Sequence, residues 1–440
     1  MTRTRTGSTS GAVPRRKAAR QDGLRAQNIA LVLQQIADAP TPVSRAEVAA
    51  STGLTKATVS ALVDTLRAGR LVSELEPRLT RQTGRPAIGL VLDGEEAAGV
   101  GLEINVDYLA ACVVNLAGEV RHREVVQDDQ RGRAPERSCT ALAAMAARAI
   151  EAATAQGLIV AGLGVAVPGL VDGPGGVDGP GGVLRFAPNL GWRDIDIRKL
   201  LAQEPGLDGL LIDVGNEANF AALGELYSDP SAMDDFLHVS GEIGVGAGIV
   251  KCRELFHGTR GWSGELGHVT VDMDGPRCRC GAQGCLEQLA GQEAILRDAG
   301  LSVAAATSLG GQASVTRIVE AAGLGDTQTL AALRQAGRAL GVVVAGTVNL
   351  LDLPGVVLGG IYAPLAPWIA PEVQREVDRR VLSAAWAPVA VRVSKVGIDA
   401  AVLGAAGGVT HAILRDPAEW LRRRDLFDDA VDGLPASFIG

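Results

Sequence analysis

One short stretch of the chain, residues 265–287, carries enough donor side chains to hold a single metal ion. It reads ELGHVTVDMDGPRCRCGAQGCLE, and its donors are His268, Cys278, Cys280 and Cys285. Three thiolates and one imidazole complete a tetrahedral zinc site and leave no position for a reactive water. The alternative is one disulfide with a spare thiol, but we find no signal-peptide pattern, and clustered cysteines in a cytosolic protein usually bind metal. We therefore predict a structural Zn2+ ion.

The same stretch fits the pattern E-x-G-H followed by C-x-C-G-x-x-G-C-x-E at every fixed position, and in this it resembles the ROK family of repressors and sugar kinases. The resemblance implies that Glu265, His268 and Glu287 face a bound sugar while the zinc loop holds them in place. One nitrogen of His268 would bind zinc, and the other would donate to a sugar hydroxyl. The segment APNLGW also matches the family, which implies that Asn189 contacts a sugar hydroxyl.

A second part of the resemblance concerns the general base of the family's kinases. Those kinases have Asn-Asp where this chain has Asn216-Glu217, and their Asp takes the proton from the phosphorylated hydroxyl. A glutamate places its carboxylate one methylene further out, and misplacement by about 1 Å can lower a rate about a hundredfold. We expect Asn216 and Glu217 to hold a sugar and Glu217 to be a poor base. The alternative is that Glu217 is only an acid at a helix N-terminus.

The segment that should bind ATP phosphates also departs from the kinase pattern. Kinases of this superfamily carry Asp-x-Gly-Gly-Thr in the first hairpin, whereas residues 103–107 here are Glu-Ile-Asn-Val-Asp. Side chains at Asn105 and Val106 should crowd the phosphates and prevent close approach of the backbone. With Glu103 and Glu217 also replacing kinase residues, we predict no catalytic residue and no enzymatic activity. The alternative is an ATP-dependent sugar kinase with an added DNA-binding domain.

The N-terminal segment has the pattern of a winged helix-turn-helix. Residues 24–37 repeat apolar residues at helical spacing, Ser44 and Thr55 are placed to cap two further helices, and Gly53 turns the chain between them. Two strands within residues 71–92 then form a wing with a basic tip. The residues predicted to contact DNA, from the start of the third helix and from the wing tip, are Thr55, Lys56, Thr58, Ser60, Arg81 and Arg85. An ordinary helical interaction domain is the alternative.

Charge is distributed unevenly along the chain. Residues 1–92 carry 14 Lys+Arg against 6 Asp+Glu, and the remaining residues carry 28 against 44. A basic front segment on an acidic body indicates that the front segment meets nucleic acid. We find no stretch of about 18 uncharged apolar residues, so we expect no membrane span and a cytoplasmic protein.

The sequence predicts an α/β chain of several segments. Residues 1–20 form a disordered basic tail, and residues 21–92 form the winged helix-turn-helix domain. Residues 97–412 resemble the ROK body, which implies a bilobal actin-like or hexokinase-like fold, a duplicated ribonuclease H-like unit with sugar in the cleft between lobes. Residues 413–440 are charged and loop-rich, and we interpret them as a mobile tail.

These features together predict a sugar-responsive transcription factor, most simply a repressor of carbohydrate-utilisation genes. Its partners would be operator DNA and a monosaccharide or derivative, with xylose, glucose, N-acetylglucosamine and their phosphates all open. Sugar would close the lobes and thereby change the spacing of two DNA-binding units. A homodimer or homotetramer is expected, since paired recognition helices read a palindrome.

Overall fold

The computed structural model describes residues 21–75, 88–173, 181–228, 233–303 and 311–427. The predicted basic tail of residues 1–20 and the predicted DNA contacts Arg81 and Arg85 lie outside the described residues. Residues 428–440 also lie outside them.

The N-terminal domain is a three-helix unit with a two-stranded wing. Its elements are α1 (Gln21–Ala37), α2 (Arg45–Thr52), α3 (Lys56–Ala68), β1 (Val72–Glu74) and β2 (Leu90–Leu92). The two strands pair antiparallel, with Val72 opposite Leu92. Each helix turns its apolar stripe inward, and the third helix buries the face that the sequence predicts, namely Val59, Leu62, Val63 and Leu66. Helix, turn, helix and wing therefore occur in the predicted order.

Local capping explains where these helices begin. The Ser44 hydroxyl accepts a bond from the Glu47 amide, and the Glu47 carboxylate accepts one from the Ser44 amide at 2.7 Å. Gly53 ends α2 with φ of 73°, a conformation that glycine adopts without strain. The Thr55 hydroxyl then accepts from the Thr58 amide to start α3. These caps match the sequence prediction.

The first lobe of the body is built on a five-stranded sheet. In chain order its elements are β3 (Ala97–Ile104), β4 (Tyr108–Asn115), β5 (Val120–Gln127), α4 (Pro135–Ala155), β6 (Ile159–Val167), β7 (Leu170–Val171), β8 (Val183–Ala187), β9 (Trp192–Asp196), α5 (Ile197–Leu201), β10 (Leu211–Asn216) and α6 (Glu217–Ser228). The main sheet has the order β10-β6-β3-β4-β5, and β7, β8 and β9 form a separate small sheet. Because β6 and β10 are parallel, both carboxyl ends meet at one edge.

The second lobe repeats the strand order of the first. Its elements are β11 (Phe236–Gly241), β12 (Val245–Lys251), β13 (Glu254–Leu255), α7 (Glu287–Ala290), α8 (Gln292–Asp298), α9 (Gly311–Gly323), α10 (Thr327–Leu351), β14 (Gly355–Gly360), α11 (Tyr362–Arg380) and β15 (Ala390–Val393). The sheet order is β13-β12-β11-β14-β15. In each lobe a meander of three antiparallel strands is extended by two strands parallel to its first strand. This repetition is the duplicated, bilobal fold that the sequence predicts.

Helix α12 (Ala400–Arg415) is the buried element that packs against β3, β6 and α6. Glycines allow the close approach: a Cβ on Gly101 would lie 2.0 Å from the Val402 carbonyl oxygen, and one on Gly404 would lie 1.8 Å from that of Phe220. Residues 397–415 are apolar and long enough to cross a membrane, but 56% of that window is buried inside the body. Such burial is typical of the core helix of a globular domain.

The prediction of a mobile C-terminal tail from residue 413 was wrong for residues 413–427. Helix α12 continues to Arg415, and α13 (Pro417–Arg422) follows directly. Trp420, Leu421 and Phe427 are buried in the apolar core of the N-terminal domain. The indole nitrogen of Trp420 also donates to the Gly69 carbonyl at 3.3 Å. The charged composition of this segment gave no indication of an amphipathic helix whose apolar side packs against the N-terminal domain.

Candidate functional site

A cleft lies between the two lobes, and all six predicted sugar-binding residues line it. They are Asn189, Asn216, Glu217, Glu265, His268 and Glu287. The first lobe supplies Asn189 after β8 and the pair Asn216-Glu217 where β10 passes into α6. The second lobe supplies Glu265 and His268 from a 3-10 turn, and Glu287 from the start of α7. Residues separated by about a hundred positions thus converge on one space.

Asn216 is fixed by three hydrogen bonds to the backbone. Its Oδ1 accepts from the amides of Ala218 and Asn219, and its Nδ2 donates to the Gly169 carbonyl at 2.9 Å. The side chain therefore begins α6 and ties it to the turn that follows β6, the strand next to β10. One N–H of Nδ2 remains for a ligand. Sequence analysis predicted the ligand contact but not this structural role.

The glycines of the β11–β12 hairpin have two separate roles. A Cβ on Gly246 would lie 2.7 Å from the Ala218 Cβ, and one on Gly248 would lie 2.5 Å from the Ala222 Cβ. These two glycines allow α6 to pack on the hairpin. Gly244 instead adjoins the cleft, where a Cβ would lie 2.2 Å from Glu287 Oε2. Any side chain at Gly244 would displace a predicted sugar ligand.

The four predicted metal ligands form one cluster beside the cleft. The donor atoms of His268, Cys278, Cys280 and Cys285 all lie within 4.8 Å of one another, so they could hold a metal ion. His268 Nδ1 lies 3.8 Å from Cys278 Sγ, while His268 Nε2 lies 3.9 Å from Glu265 Oε2. One ring nitrogen of His268 is therefore directed toward the thiols, and the other is directed toward a carboxyl group of the cleft.

The loop that carries these ligands depends on a tight backbone crossing. Gly284 has φ of 69°, and a Cβ there would lie 1.5 Å from the Asp272 carbonyl oxygen. Two short antiparallel bridges, Thr270 with Cys285 and Arg277 with Gln283, hold the loop on itself. Only glycine at position 284 permits this approach, which brings Cys285 back beside Cys280.

Arg279, which sequence analysis did not single out, connects this loop to the opposite lobe. Its guanidinium donates to Asn189 Oδ1 at 3.1 Å and to Glu293 Oε2 at 2.8 Å. Asn189 lies in the first lobe, and Glu293 lies on α8 of the second. Arg279 stands between the ligands Cys278 and Cys280 in the sequence. An arginine between two metal ligands was the available signal, but its partner could not be predicted.

A buried carboxyl occupies the first hairpin, at the position where kinases of the superfamily bind phosphate. The Glu103 Oε1 accepts from the Tyr108 hydroxyl at 2.7 Å and from Asn105 Nδ2 at 3.2 Å. Its Oε2 has no hydrogen-bond partner in the described part of the chain. Burial raises the pKa of Glu103 to about 7, despite the opposing effect of these two donors.

Two further buried carboxyls lie at the same end of the cleft. Burial, followed by repulsion from Glu103, raises the pKa of both Glu217 and Glu242 well above the usual value. Sequence analysis missed Glu242, although an acid in the turn of a glycine-rich hairpin was a signal. No Lys or Arg is among the described residues that line the cleft. The described lining therefore offers hydrogen-bonding groups but no cationic side chain to pair with a bound anion.

The space between these side chains is small. The cleft encloses about 50 Å³, which is room for about one or two water molecules. At that volume a monosaccharide would need the lobes or the lining side chains to move apart. The cleft between the lobes is therefore narrow in this structure.

A larger cavity of about 620 Å³ lies on the other side of Asn216. Its walls include Gln34 and Asp38 of α1, Tyr227 of α6, and His411 of α12. The rings of Tyr227 and His411 stack with centroids 3.5 Å apart. One wall of the sugar cleft is therefore also a wall of a space that reaches the N-terminal domain.

The predicted DNA contacts in α3 differ in their surroundings. Lys56 and Thr55 are exposed, whereas Thr58 and Ser60 are half-buried. The hydroxyls of Thr55 and Thr58 lie 2.8 Å apart, so each has a local partner as well. Arg45, which sequence analysis missed, fixes this helix by ion pairs to Asp64 and Glu74 at 2.6 and 2.9 Å.

Comparison with known proteins gives matches to two parts of the chain. The ROK family model matches residues 99–411, and the IclR helix-turn-helix domain model matches residues 26–76. The chain is 30% identical to the xylose repressor of Bacillus subtilis (strain 168) over 83% of this chain and 90% of the relative.

Two solved structures share the fold. A ROK family transcriptional regulator, a homolog of the E. coli MLC protein, has a TM-score of 0.71 and 24% identity, and the match covers 92% of this chain and 99% of that chain. A ROK family glucokinase from Streptomyces griseus in complex with glucose and AMPPNP has a TM-score of 0.58 and 27% identity, over 70% of this chain and 98% of that chain.

Proposed function

The chain belongs to the ROK family, and from this membership we propose that it is a sugar-responsive, DNA-binding transcriptional repressor. The observation that carries the proposal is the union of two parts in one chain. A capped helix-turn-helix with a wing precedes a body whose interlobe cleft gathers all six predicted sugar ligands. The matches to a xylose repressor and to a ROK regulator, each over most of the chain, support this function over that of a kinase.

The N-terminal domain would bind operator DNA through the start of α3. Exposed Lys56 suits a phosphate or base edge, and Thr55, Thr58 and Ser60 lie on the same turns. Arg81 and Arg85 would add contacts from the wing. A homodimer or homotetramer in the cytoplasm would present two such helices to a palindromic site.

The cleft would hold a monosaccharide, with xylose the first candidate because the relative is named a xylose repressor. Sugar hydroxyls both donate and accept, so they can pair with carboxylates such as Glu217 and Glu265 and with the amides of Asn189 and Asn216. Phosphorylated sugars fit less well, because no Lys or Arg among the described lining residues would neutralise a phosphate.

The metal would be zinc, in a structural role. Two sulfurs bonded to one tetrahedral zinc at about 2.3 Å lie about 3.8 Å apart. Cys280 Sγ and Cys285 Sγ lie 3.8 Å apart, which fits that geometry. His268, Cys278, Cys280 and Cys285 would hold the ion, and zinc would fix the orientation of the imidazole that faces Glu265.

The alternative function is phosphotransfer, which the fold shared with a glucokinase keeps open. Two features oppose it. Glu103, with a raised pKa, fills the first hairpin together with Asn105 and Tyr108, and Glu242 lies in the turn of the second hairpin. The first of these positions is where the resemblance implies phosphate contacts. We therefore propose that the protein is not an enzyme.

The test is binding of the purified protein to DNA from upstream of its own gene, at fixed salt, with a panel of sugars. We expect specific binding, and a change of about tenfold or more with one unphosphorylated sugar, a typical coupling energy. Non-specific DNA binding that no sugar alters would reject the proposal. Turnover of ATP with a sugar, lost in Glu217→Gln, would favour the kinase.

A further inference from the structure

We propose that Arg279 is a positioning residue. Its hydrogen bond from the metal loop would hold the side chain of Asn189 across the cleft and so determine which end of that amide faces the sugar. The inference rests on the proposed function, since it concerns the same cleft. Arg279 does not line the cleft. It would act through Asn189, without touching the sugar.

The contacts place Arg279 as a bridge between the lobes. One guanidinium nitrogen donates to Asn189 Oδ1 at 3.1 Å, and the other donates to Glu293 Oε2 at 2.8 Å. The side chain of Arg279 is 50% exposed, so a single surface contact would be weak. Two anchors from different lobes hold the planar guanidinium in one orientation.

The chemistry of the guanidinium decides which way the amide faces. Arginine has donors and no acceptor, so only the oxygen of Asn189 can face it. The Nδ2 of Asn189 must then face the other way, toward Gly244 and Glu287, where a Cβ on Gly244 would lie 3.4 Å from it. Asn189 is thereby fixed as a hydrogen-bond donor to the ligand.

Side-chain hydrogen-bond donors such as the Asn189 amide are few in a cleft that is rich in carboxyl groups. The lining glutamates accept hydrogen bonds from sugar hydroxyls, whereas Asn189 donates one to a hydroxyl oxygen. Without Arg279 the amide could rotate and present its oxygen instead. The sugar would then face one more acceptor where it needs a donor.

The predicted metal ligands on both sides of Arg279 explain how the backbone of this residue could be held rigid. Cys278 and Cys280 are its immediate neighbours, so an ion bound by them would fix the backbone from which the side chain extends. In this way the metal loop would hold Asn189 of the opposite lobe as well as His268 of its own lobe.

The test compares Arg279→Met with Arg277→Met, a matched control in the same loop. Arg277 has the same side chain, and no ion pair or side-chain hydrogen bond of it occurs in the described structure. Sugar affinity is measured by calorimetry with D-xylose, or with the sugar that the panel identifies, and zinc content is measured on each protein. We expect Arg279→Met to weaken sugar binding about tenfold, and Arg277→Met to change it less than about twofold, with equal zinc content.

The affinity for deoxy sugars distinguishes a positioning role of Arg279 from a merely structural one. In the wild type, removing the hydroxyl that accepts from Asn189 should weaken binding about tenfold; in Arg279→Met that same loss should shrink to about twofold, since the two changes remove one interaction. Arg279→Lys, which keeps one donating nitrogen, should recover part of the affinity.

Three outcomes would overturn the inference. Equal sugar affinity of Arg279→Met and wild type would remove the role of the bridge. Loss of zinc in Arg279→Met alone would mean that Arg279 supports the loop instead of Asn189. Absence of sugar binding by the wild type would reject the proposed function itself, and the inference with it.

Discussion

Glu103 is a fully buried carboxyl held by hydroxyl and amide donors, and its ionisation makes the stability of the protein depend on pH. Burial is the main cause of its pKa of about 7, and the carboxylates of Asp399 and Asp107 add repulsion. Tyr108 and Asn105 oppose the shift by donating to Oε1. The folded protein therefore binds this proton more tightly than the unfolded chain does.

Replacing Glu103 with Gln should make stability less dependent on pH. The contribution of a carboxyl with a raised pKa is fully present below its unfolded pKa of about 4.5 and is lost as pH rises through about 7. A shift of this size corresponds to about 3 kcal/mol. We expect Glu103→Gln to melt above the wild type at pH 8 and to lose that advantage at pH 5, in calorimetric scans.

Glu136→Gln is the control, since Glu136 is exposed on α4 and should give the same difference from wild type at both pH values. A Glu103→Gln protein that tracks the wild type from pH 5 to pH 8 would show that Glu103 ionises freely in the folded state.

Sequence patterns identified residues whose chemistry depends on near neighbours. The predicted metal ligands follow from the spacing of donors within one segment, and the role predicted for the pair Asn216-Glu217 follows from the resemblance to the family's kinases. Arg279 and Glu242 could not be found in this way, because their roles depend on contacts between segments. Arg279 meets Asn189, which is 90 positions away in the chain, and no pattern encodes that distance.

Helix α13 is an element of the C-terminus that completes the core of the N-terminal domain. Leu421 is fully buried, and its Cδ2 occupies the space where a Cβ on Gly69 would lie at 2.1 Å. Gly69 ends α3, so the helix predicted to read DNA rests on α13. The two ends of the chain therefore share one apolar cluster.

Leu421→Ala should loosen the N-terminal domain and leave the cleft intact. Truncation of a buried leucine typically destabilises by about 2–5 kcal/mol. We expect faster hydrogen exchange in α1 to α3 and weaker operator binding, with unchanged sugar affinity. Arg423→Ala, on the exposed side of the same segment, should change neither by more than about 0.5 kcal/mol. Unaltered exchange in Leu421→Ala would show that α13 contributes nothing to that core.

Elements with local start and stop signals were predictable. Ser44, Gly53 and Thr55 lie within a few residues of the backbone groups they satisfy, so the sequence alone locates α2 and α3. The small helix α13 has a cap at Asp416, but its burial depends on Gly69, 351 positions from Trp420. A stretch rich in arginine gave no hint of that partner.

At the scale of the whole molecule, one path of packed elements joins the sugar cleft to the DNA-binding domain. Asn216 and α6 form a wall of the cleft, α6 packs on α12, and α12 continues into α13 beneath α3. The narrow cleft must open for a sugar, and α6 would move with it. Sugar and DNA would thus favour different arrangements of the same elements.

Operator DNA should therefore weaken sugar binding by the same factor by which sugar weakens operator binding, because coupling of two binding equilibria is reciprocal. Calorimetric titration of sugar into the protein with and without operator measures one factor, and DNA titration with and without sugar measures the other. Equal sugar affinity in both titrations, alongside a sugar effect on DNA, would violate that reciprocity and show that the two assays report different species.

The shared cluster of the chain's two ends has a consequence for synthesis. The domain that would bind DNA leaves the ribosome well before Trp420, Leu421 and Phe427, which complete its core, are translated. At bacterial and eukaryotic elongation rates the delay is on the order of tens of seconds. A chain that stops early, through a nonsense codon or a stalled ribosome, would carry the sugar cleft in part and an incomplete DNA-binding core. Only chains that extend through Phe427 would then occupy the operator.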